Sequence, residues 1–465
     1  MTPEEHEASP QKQGSFVRVL SPGEVFLLTI SALSPVFSVF IGGNAILHLA
    51  GTGAAIGFIC GGMIAATLAL LFAELSASFP GAGGVYPALN VILGSRWTYP
   101  FVVLRTVIMF PLLAFGATGV GPYIRLFVPW LPEDLAVLGT LVLAALIAAT
   151  QIRRGAQVIA GFLILELVAL LVLIVAALIH FKTANINLVL RPLYSVNRDI
   201  VAATPPANLA LAVIAGSFMA AGADWATFFA EDMRDARRRI GPVVAWTGLI
   251  AALCIAVPTV LMVLAIDDLP ATLSAEAPMA HFLDRATTPL ISSLVSLGII
   301  ASIINNVIAV MMALSRQLHA IGRDGVFPSP INRMLRIVNP RTRAPTGALV
   351  VLLVIGGFCT FLGERQLVLL TSANFSECLL LGLAVLTGRR AGMMSEHFRI
   401  RLHPLVPVLA VLLSVSIVAA GWADAETGRV SIGLLLTVFV TAFFWHELSM
   451  RMGRTPVRLS GSDLE

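Results

Sequence analysis

The chain has 465 residues, of which 57% are apolar and 12% are charged, and its formal net charge at pH 7 is +4. The mean hydropathy of +0.90 excludes an ordinary soluble protein and indicates a membrane protein with many spans. The cations lie in short loops between apolar runs, so no nucleic-acid partner is expected. Cys60, Cys254, Cys359 and Cys378 lie inside apolar runs without paired spacing. We therefore expect no disulfide, no metal site and no cofactor.

About twelve apolar runs each approach the roughly 20 residues that cross a bilayer core. We predict spans near residues 23–48, 53–79, 97–124, 134–150, 156–180, 207–230, 242–266, 288–318, 345–363, 366–387, 404–422 and 430–447. Arginines concentrate in alternate connecting segments, for example at Arg234, Arg237, Arg238 and Arg239. This bias predicts that both termini are cytoplasmic. No cleaved signal is expected, and a bacterial inner membrane is the expected location.

Two of the apolar runs contain residues that interrupt a helix. The first run carries Pro35, which removes a backbone donor and clashes with the preceding turn. The sixth run carries a cluster of small residues from Gly216 to Ala223, and a glycine inside a helix costs roughly 1 kcal/mol relative to alanine. Breaks in two halves of a chain are typical of the midplane binding site of a transporter. The structural alternative is a kink that only fits neighbouring helices.

The two breaks each open a group of five spans, and the two groups start on opposite sides of the membrane. This pattern indicates an inverted repeat. We therefore predict an all-α integral membrane protein with two inverted five-helix repeats and two further C-terminal helices. The expected organisation is a cytoplasmic tail at 1–22, the first repeat at 23–190, the second repeat at 191–390, two helices at 391–448 and a cytoplasmic tail at 449–465.

The helix ends at these breaks are expected to supply opposite partial charges. Past Pro35, the free N–H groups of the next three residues favour a carboxylate. We expect the outer half of the sixth helix to end before Ser217, where its carbonyl groups favour an ammonium group. Together they predict a site for a zwitterion. The candidate substrate-binding residues are Ser34, Val36, Phe37, Ser38, Gly216, Ser217, Phe218, Gly222 and Asp224.

Three parts of the chain resemble the amino acid–polyamine–organocation permeases. They are residues 73–86 (AELSASFPGAGGVY), residues 222–224, 230–232 and 237–240 (GAD, AED and RRRI), and residues 315–328 (SRQLHAIGRDGVFP) with 343–345 (RAP). The resemblance implies alternating-access transport of amino acids or related amines, with a proton or an exchanged solute as the second partner. Family members commonly carry a glycine-rich break where this chain has residues 34–38 (SPVFS). Substrate identity is therefore not carried over, and nucleobases or other small nitrogenous solutes remain the alternative.

Several polar residues fall inside the predicted spans. Glu166 is either a proton-coupling group, as the resemblance implies, or a structural acid paired with Arg105 or a serine. Asp224 either caps a helix N-terminus or binds a proton or the ammonium group of the substrate. Arg105 is expected to snorkel, to pair with Glu166 or to meet a substrate carboxylate. At least one of Asn305 and Asn306 is expected to bond across helices.

A group of charged residues is expected near the cytoplasmic surface. Opposite charges there form either an inner gate, which breaks and re-forms during transport, or a static network. The gate candidates are Glu74, Glu231, Arg316, Arg323 and Asp324. An enzyme is not expected, because the histidines that such a site would require fall at loops. The oligomeric state is not predicted.

Overall fold

The computed structural model describes residues 19–80, 83–125, 127–197, 200–362, 377–423 and 428–452. Most of these residues are helical, and one antiparallel hairpin joins β1 (Leu193–Asn197) to β2 (Ile200–Ala203). Within the described ranges, seven apolar helical segments are long enough to span a membrane.

The helices are numbered in chain order. The first ten are α1 (Pro22–Leu33), α2 (Pro35–Phe37), α3 (Gly43–Ala50), α4 (Ala54–Ser78), α5 (Tyr86–Leu93), α6 (Ser95–Thr118), α7 (Val120–Arg125), α8 (Glu133–Ala148), α9 (Ile152–Ile179) and α10 (Ile186–Leu190). The next ten are α11 (Pro206–Ala220), α12 (Ala236–Ala265), α13 (Leu269–Ser274), α14 (Pro278–Ala286), α15 (Pro289–Arg323), α16 (Ser329–Leu335), α17 (Thr346–Cys359), α18 (Glu377–Arg390), α19 (Leu405–Ala423) and α20 (Gly428–Arg451). A π-helical turn covers Ser38–Gly42, and short 3₁₀ segments cover Gly51–Gly53, Thr183–Asn185 and Ala223–Phe229.

The predicted spans fall on these helices, and the prediction of a helical membrane protein is confirmed. The first span is α1 to α3, and the sixth is α11 followed by the 3₁₀ segment Ala223–Phe229. The tenth span, 366–387, lies within the described residues only from 377 onward. The hairpin lies in the connection that follows the fifth span.

The start of α1 is fixed by local hydrogen bonds and by a contact with the end of the sixth span. Ser21 and Glu24 form a capping box, in which Glu24 N–H donates to Ser21 Oγ (3.2 Å) and Ser21 N–H donates to Glu24 Oε2 (2.7 Å). Leu20 N–H donates to the carbonyl of Asp232 (2.9 Å), and its own carbonyl accepts from Arg234 N–H (2.9 Å). Both segments therefore lie on one side of the bundle, which we name the N-terminal face.

Most of the long helices pack in two groups, which α9 connects because it packs against both α15 and α12. Helix α4 packs against α11 and α12, whereas α15 packs against α6, α8, α9 and α17. Small residues allow α4 and α11 to approach closely, since a Cβ atom on Gly216 would lie 2.4 Å from the carbonyl oxygen of Gly57. Gly216 and Ser217 are therefore interior residues of α11 at a helix crossing, and the expectation that the helix ends before Ser217 is wrong.

This crossing predicts that Gly216→Val destabilises the protein, because the added side chain would overlap the backbone of α4. Overpacking of this kind costs about 1–3 kcal/mol. The matched control is Gly161→Val, since Gly161 lies inside α9 and has no atom within 4 Å of an added Cβ. Thermal unfolding of the purified variants in detergent should show a lower Tm for Gly216→Val than for Gly161→Val. Equal Tm values would contradict the close approach of α4 and α11.

Candidate functional site

The first break lies at Ser34, between α1 and α2. Ser34 has a φ of 43°, in the left-handed region, and Pro35 then begins α2 without an N–H group to satisfy. Ser34 Oγ accepts a hydrogen bond from Phe37 N–H (3.4 Å), and the carbonyl of Ser34 accepts from Ser38 N–H (3.0 Å). The chain thus turns between two helices at the point that the sequence predicted.

Glu166 of α9 faces this break and is fully buried. Glu166 Oε1 accepts hydrogen bonds from Ser34 Oγ (2.5 Å), Val36 N–H (3.3 Å) and Ser302 Oγ (3.2 Å). Glu166 Oε2 accepts from Asn305 Nδ2 (3.3 Å). These four donors are neutral, and the bond from Val36 places the carboxyl group at the positive end of α2.

The two asparagines of α15 both bond to other helices. Asn305 donates to Glu166, and Asn306 Nδ2 donates to the carbonyl of Ala32 at the end of α1 (2.7 Å). Asn305 Oδ1 is buried and has no hydrogen-bond partner among the described residues. Rotation of this amide by 180° would turn Oδ1 toward Glu166, so Asn305 can bond to the carboxyl group whether that group accepts or donates.

The second break follows Ala220, where α11 ends. Gly222 has a φ of 125°, which side chains disfavour, and the 3₁₀ segment Ala223–Phe229 begins directly after it. Ser38 Oγ donates to the carbonyl of Met219 (2.9 Å) at the end of α11. This bond connects the two breaks directly.

A cavity of about 580 Å³, including the part open to solvent, lies between the two breaks, and we name it the central cavity. Phe37 and Phe115 meet edge to face in its wall, with ring centroids 5.8 Å apart. Its lining residues are Ala32, Leu33, Phe37, Ser38, Leu112, Phe115, Gly116, Phe218, Met219, Ala221, Gly222, Trp225, Asn306 and Val310.

The predicted substrate-binding residues divide into four groups. Phe37, Ser38, Phe218 and Gly222 line the central cavity. Ser34 and Val36 contact Glu166, and Gly216 and Ser217 lie inside α11. Asp224 lines a second cavity.

The second cavity has a volume of about 400 Å³, including the part open to solvent, and adjoins the central cavity at Ala221 and Gly222, which line both. Its other lining residues are Ala65, Leu68, Ala69 and Phe72 of α4, Ala223, Asp224, and Cys378 and Leu381 of α18.

An ion pair borders the second cavity. Arg105 Nη2 donates to Asp224 Oδ2, and both side chains are largely buried. The guanidinium group also lies 5.9 Å from the ring centroid of Phe72 and 5.6 Å from that of Phe228. Arg105 therefore does not pair with Glu166, and it does not snorkel to the surface.

Ion pairs at the N-terminal face connect the end of the sixth span to α15. Glu231 accepts two hydrogen bonds from Arg323 (both 3.0 Å). Asp232 accepts from Arg316 Nε (2.8 Å), and both of these side chains are buried. We name these four residues and Asp324 the ion-pair cluster.

Tyr86 of α5 is hydrogen-bonded to the ion-pair cluster. Its hydroxyl group donates to Asp324 Oδ2 (2.5 Å), and Arg323 Nε donates to Asp324 Oδ1 (3.4 Å). Burial raises the pKa of Tyr86 well above its usual value, and the adjacent carboxylate of Asp324 raises that pKa further. The phenol therefore stays protonated and remains a donor.

Glu74, the fifth gate candidate, belongs to a different ion pair. It accepts hydrogen bonds from Arg389 Nε (2.5 Å) and Nη2 (2.7 Å) and from Ile400 N–H (2.9 Å). It joins the end of α4 to the end of α18 and to the loop after α18, whereas the ion-pair cluster joins the sixth span to α15.

Sequence reasoning missed three of these contacts. Ser302 lies one helical turn before Asn305, so helical spacing could have placed both on one face of α15. Tyr86 and Arg389 carried no signal, because their partners are more than 200 residues away in the sequence.

A family profile and curated relatives match this chain. The profile of the family described as Amino acid permease matches residues 20–444. A branched-chain amino acid permease of Lactococcus lactis is 22% identical over 92% of this chain and 94% of its own length. An uncharacterized transporter of Mycobacterium tuberculosis is 26% identical over 83% of this chain and 84% of its own length.

Solved structures show the same fold. A manganese transporter of Eremococcus coleocola superposes with a TM-score of 0.54 at 15% identity and covers 96% of this chain and 99% of that one. A mutant of the same transporter gives a TM-score of 0.53 at 15% identity and covers 94% of this chain and 98% of that one. At this identity the likeness concerns the fold alone.

The match across nearly the whole chain places this protein in the amino acid permease family. It is an integral membrane transporter of amino acids or related solutes.

Proposed function

We propose that this chain is a secondary active transporter that binds a zwitterionic amino acid in the central cavity and moves it across the membrane by alternating access. The central cavity carries this proposal, because residues of both helix breaks line it. The carbonyl ends of α1 and α11 attract an ammonium group there, and the N-terminal end of the 3₁₀ segment Ala223–Phe229 attracts a carboxylate. At α2 the expectation of free N–H groups is wrong, because those of Val36, Phe37 and Ser38 bond to Glu166 Oε1, Ser34 Oγ and the Ser34 carbonyl. A substrate carboxylate would bind there only in place of Glu166 at Val36 N–H.

The cavity wall favours an amino acid over a nucleobase. Leu112, Phe115, Met219 and Val310 supply apolar surface for a side chain. One relative is named as a branched-chain amino acid permease, and apolar side chains suit this lining. Asp224, which would suit a ring N–H group, is already paired with Arg105. This pairing weakens the case for nucleobases.

Glu166 is proposed to couple a proton to the substrate. Its carboxyl group bonds to Val36 N–H, at the helix end that would also attract the carboxylate of the substrate. Two like charges about 4 Å apart repel by roughly 4 kcal/mol at an effective dielectric constant of about 20. Protonation of Glu166 removes this repulsion, so proton binding and substrate binding strengthen each other. A structural role for Glu166 in a transporter that exchanges solutes is the alternative.

The ion-pair cluster is proposed to be the cytoplasmic gate, with both termini in the cytoplasm and the protein in a bacterial inner membrane. Its acids Glu231 and Asp232 follow the second break, and its arginines belong to α15. The cluster thus joins the two groups of packed helices, and release of a substrate on this side would require the pairs to separate. Glu74 is also proposed as a gate residue, acting through Arg389.

Uptake into proteoliposomes, using a pool of radiolabelled amino acids and nucleobases with and without an inward proton gradient, tests the proposed function. We expect the gradient to drive accumulation of an amino acid and Glu166→Gln to abolish that accumulation, because glutamine cannot carry the proton. Glu133→Gln is the control, since the side chain of Glu133 is partly exposed and pairs with Arg125 away from both helix breaks.

Other outcomes would contradict parts of this proposal. Gradient-driven accumulation by Glu166→Gln would remove Glu166 from the coupling step. Uptake that requires preloaded solute and ignores the gradient would identify an exchanger. Uptake of a nucleobase and of no amino acid would overturn the substrate class.

Thiol labelling tests the gate, because Cys378 lines the second cavity. In a background without Cys60, Cys254 and Cys359, Glu231→Gln should increase labelling of Cys378 by a membrane-impermeant maleimide in inside-out vesicles. Loss of the Glu231–Arg323 ion pair should favour the state of the transporter that is open on the N-terminal face.

Two variants complete the labelling experiment. Glu231→Asp, which keeps the negative charge opposite Arg323, should be labelled less than Glu231→Gln. The control is Glu447→Gln, because Glu447 pairs with Arg96 outside the ion-pair cluster. Unchanged labelling in Glu231→Gln would mean that the cluster is a static network.

A further inference from the structure

The second cavity adjoins the central cavity at two small residues. Gly222 has no side chain and Ala221 has a single methyl group, and both line the two cavities. In the proposed binding mode the helix ends at the breaks hold the ammonium and carboxylate groups of the substrate, so only its side chain is free to extend past Ala221 and Gly222. This inference about the side chain rests on the proposed function.

The wall of the second cavity is apolar except at one place. Four alanines, Leu68, Phe72, Cys378 and Leu381 supply its apolar surface. Asp224 is the only carboxylate among the described lining residues, which include no lysine, arginine or histidine, and Arg105 neutralises it. A buried ion pair of this kind presents no net charge to a ligand.

We propose that the second cavity receives the side chain of the transported amino acid, and that the Arg105–Asp224 ion pair restricts transport to side chains without net charge. A cationic side chain would have to displace Arg105, whose guanidinium group packs beside the rings of Phe72 and Phe228. An anionic side chain would have to displace Asp224. In either case a buried charge loses its partner, which is costly in an apolar surrounding.

Removal of one member of the pair should therefore change the charge selectivity in a defined direction. Arg105→Gln leaves a buried carboxylate that attracts a cationic side chain, and Asp224→Asn leaves a guanidinium group that attracts an anionic one. Removal of both charges should abolish both the attraction of a cationic side chain and the attraction of an anionic one.

The experiment measures inhibition of L-leucine uptake by L-lysine and L-glutamate in proteoliposomes. We expect neither competitor to act on the wild-type protein at concentrations where L-valine does. Arg105→Gln should lower the inhibition constant of L-lysine by about tenfold or more, and Asp224→Asn should do the same for L-glutamate. In the variant with both substitutions, neither L-lysine nor L-glutamate should have a lowered inhibition constant. Wild-type charge selectivity in the two single variants would overturn the proposal.

Ala221→Val provides a second test if a single variant does not fold. Ala221 has an extended backbone, which a β-branched residue adopts readily, and valine would place a larger side chain where the two cavities adjoin. Uptake of L-leucine should fall about tenfold relative to uptake of L-alanine. An unchanged ratio would show that the side chain does not enter the second cavity.

These measurements distinguish a failure of the proposed function from a failure of the proposed role of the second cavity. If the wild-type protein transports none of these amino acids, the proposed function is wrong. If it transports L-leucine and the variants keep its selectivity, only the role of the second cavity is wrong.

Discussion

The structure depends on how backbone groups are satisfied where two helices break inside the membrane. Unwound backbone at this depth persists only if protein groups or water in a cavity bond to it. At the first break, Glu166 accepts from Val36 N–H, and Asn306 donates to the carbonyl of Ala32. At the second break, Ser38 donates to the carbonyl of Met219. These polar side chains keep the breaks open beside the central cavity, so the same bonds that stabilise the fold also shape the proposed binding site.

Charge compensation follows one pattern across the sixth span. Asp224, Glu231 and Asp232 all lie after the second break, and each pairs with an arginine of α6 or α15. Because α4, α11 and α12 pack together while α6 and α15 belong to the other group, these pairs join the two parts of the bundle. A movement of one group against the other would therefore have to separate ion pairs, which provides a physical barrier to opening on the N-terminal face.

Sequence reasoning predicted the fold class, the spans and the position of the first break, because hydropathy and proline act locally. It placed the second break too early, since Gly216 and Ser217 are small for a different reason: α4 crosses α11 there. It left the partner of Arg105 open, because Asp224 is 119 residues away and only the tertiary packing brings the two together. Side-chain pairing between distant helices is what the sequence could not supply.

The most direct test of the central claim is a comparison of ligands that lack one of the two charged groups of an amino acid. Inhibition of L-leucine uptake would be measured with L-leucine, with the amine that lacks its carboxylate and with the acid that lacks its ammonium group. If the two breaks bind both groups, L-leucine should inhibit strongly and both truncated compounds should inhibit weakly. Equal inhibition by either truncated compound would show that the corresponding helix ends do not bind the substrate.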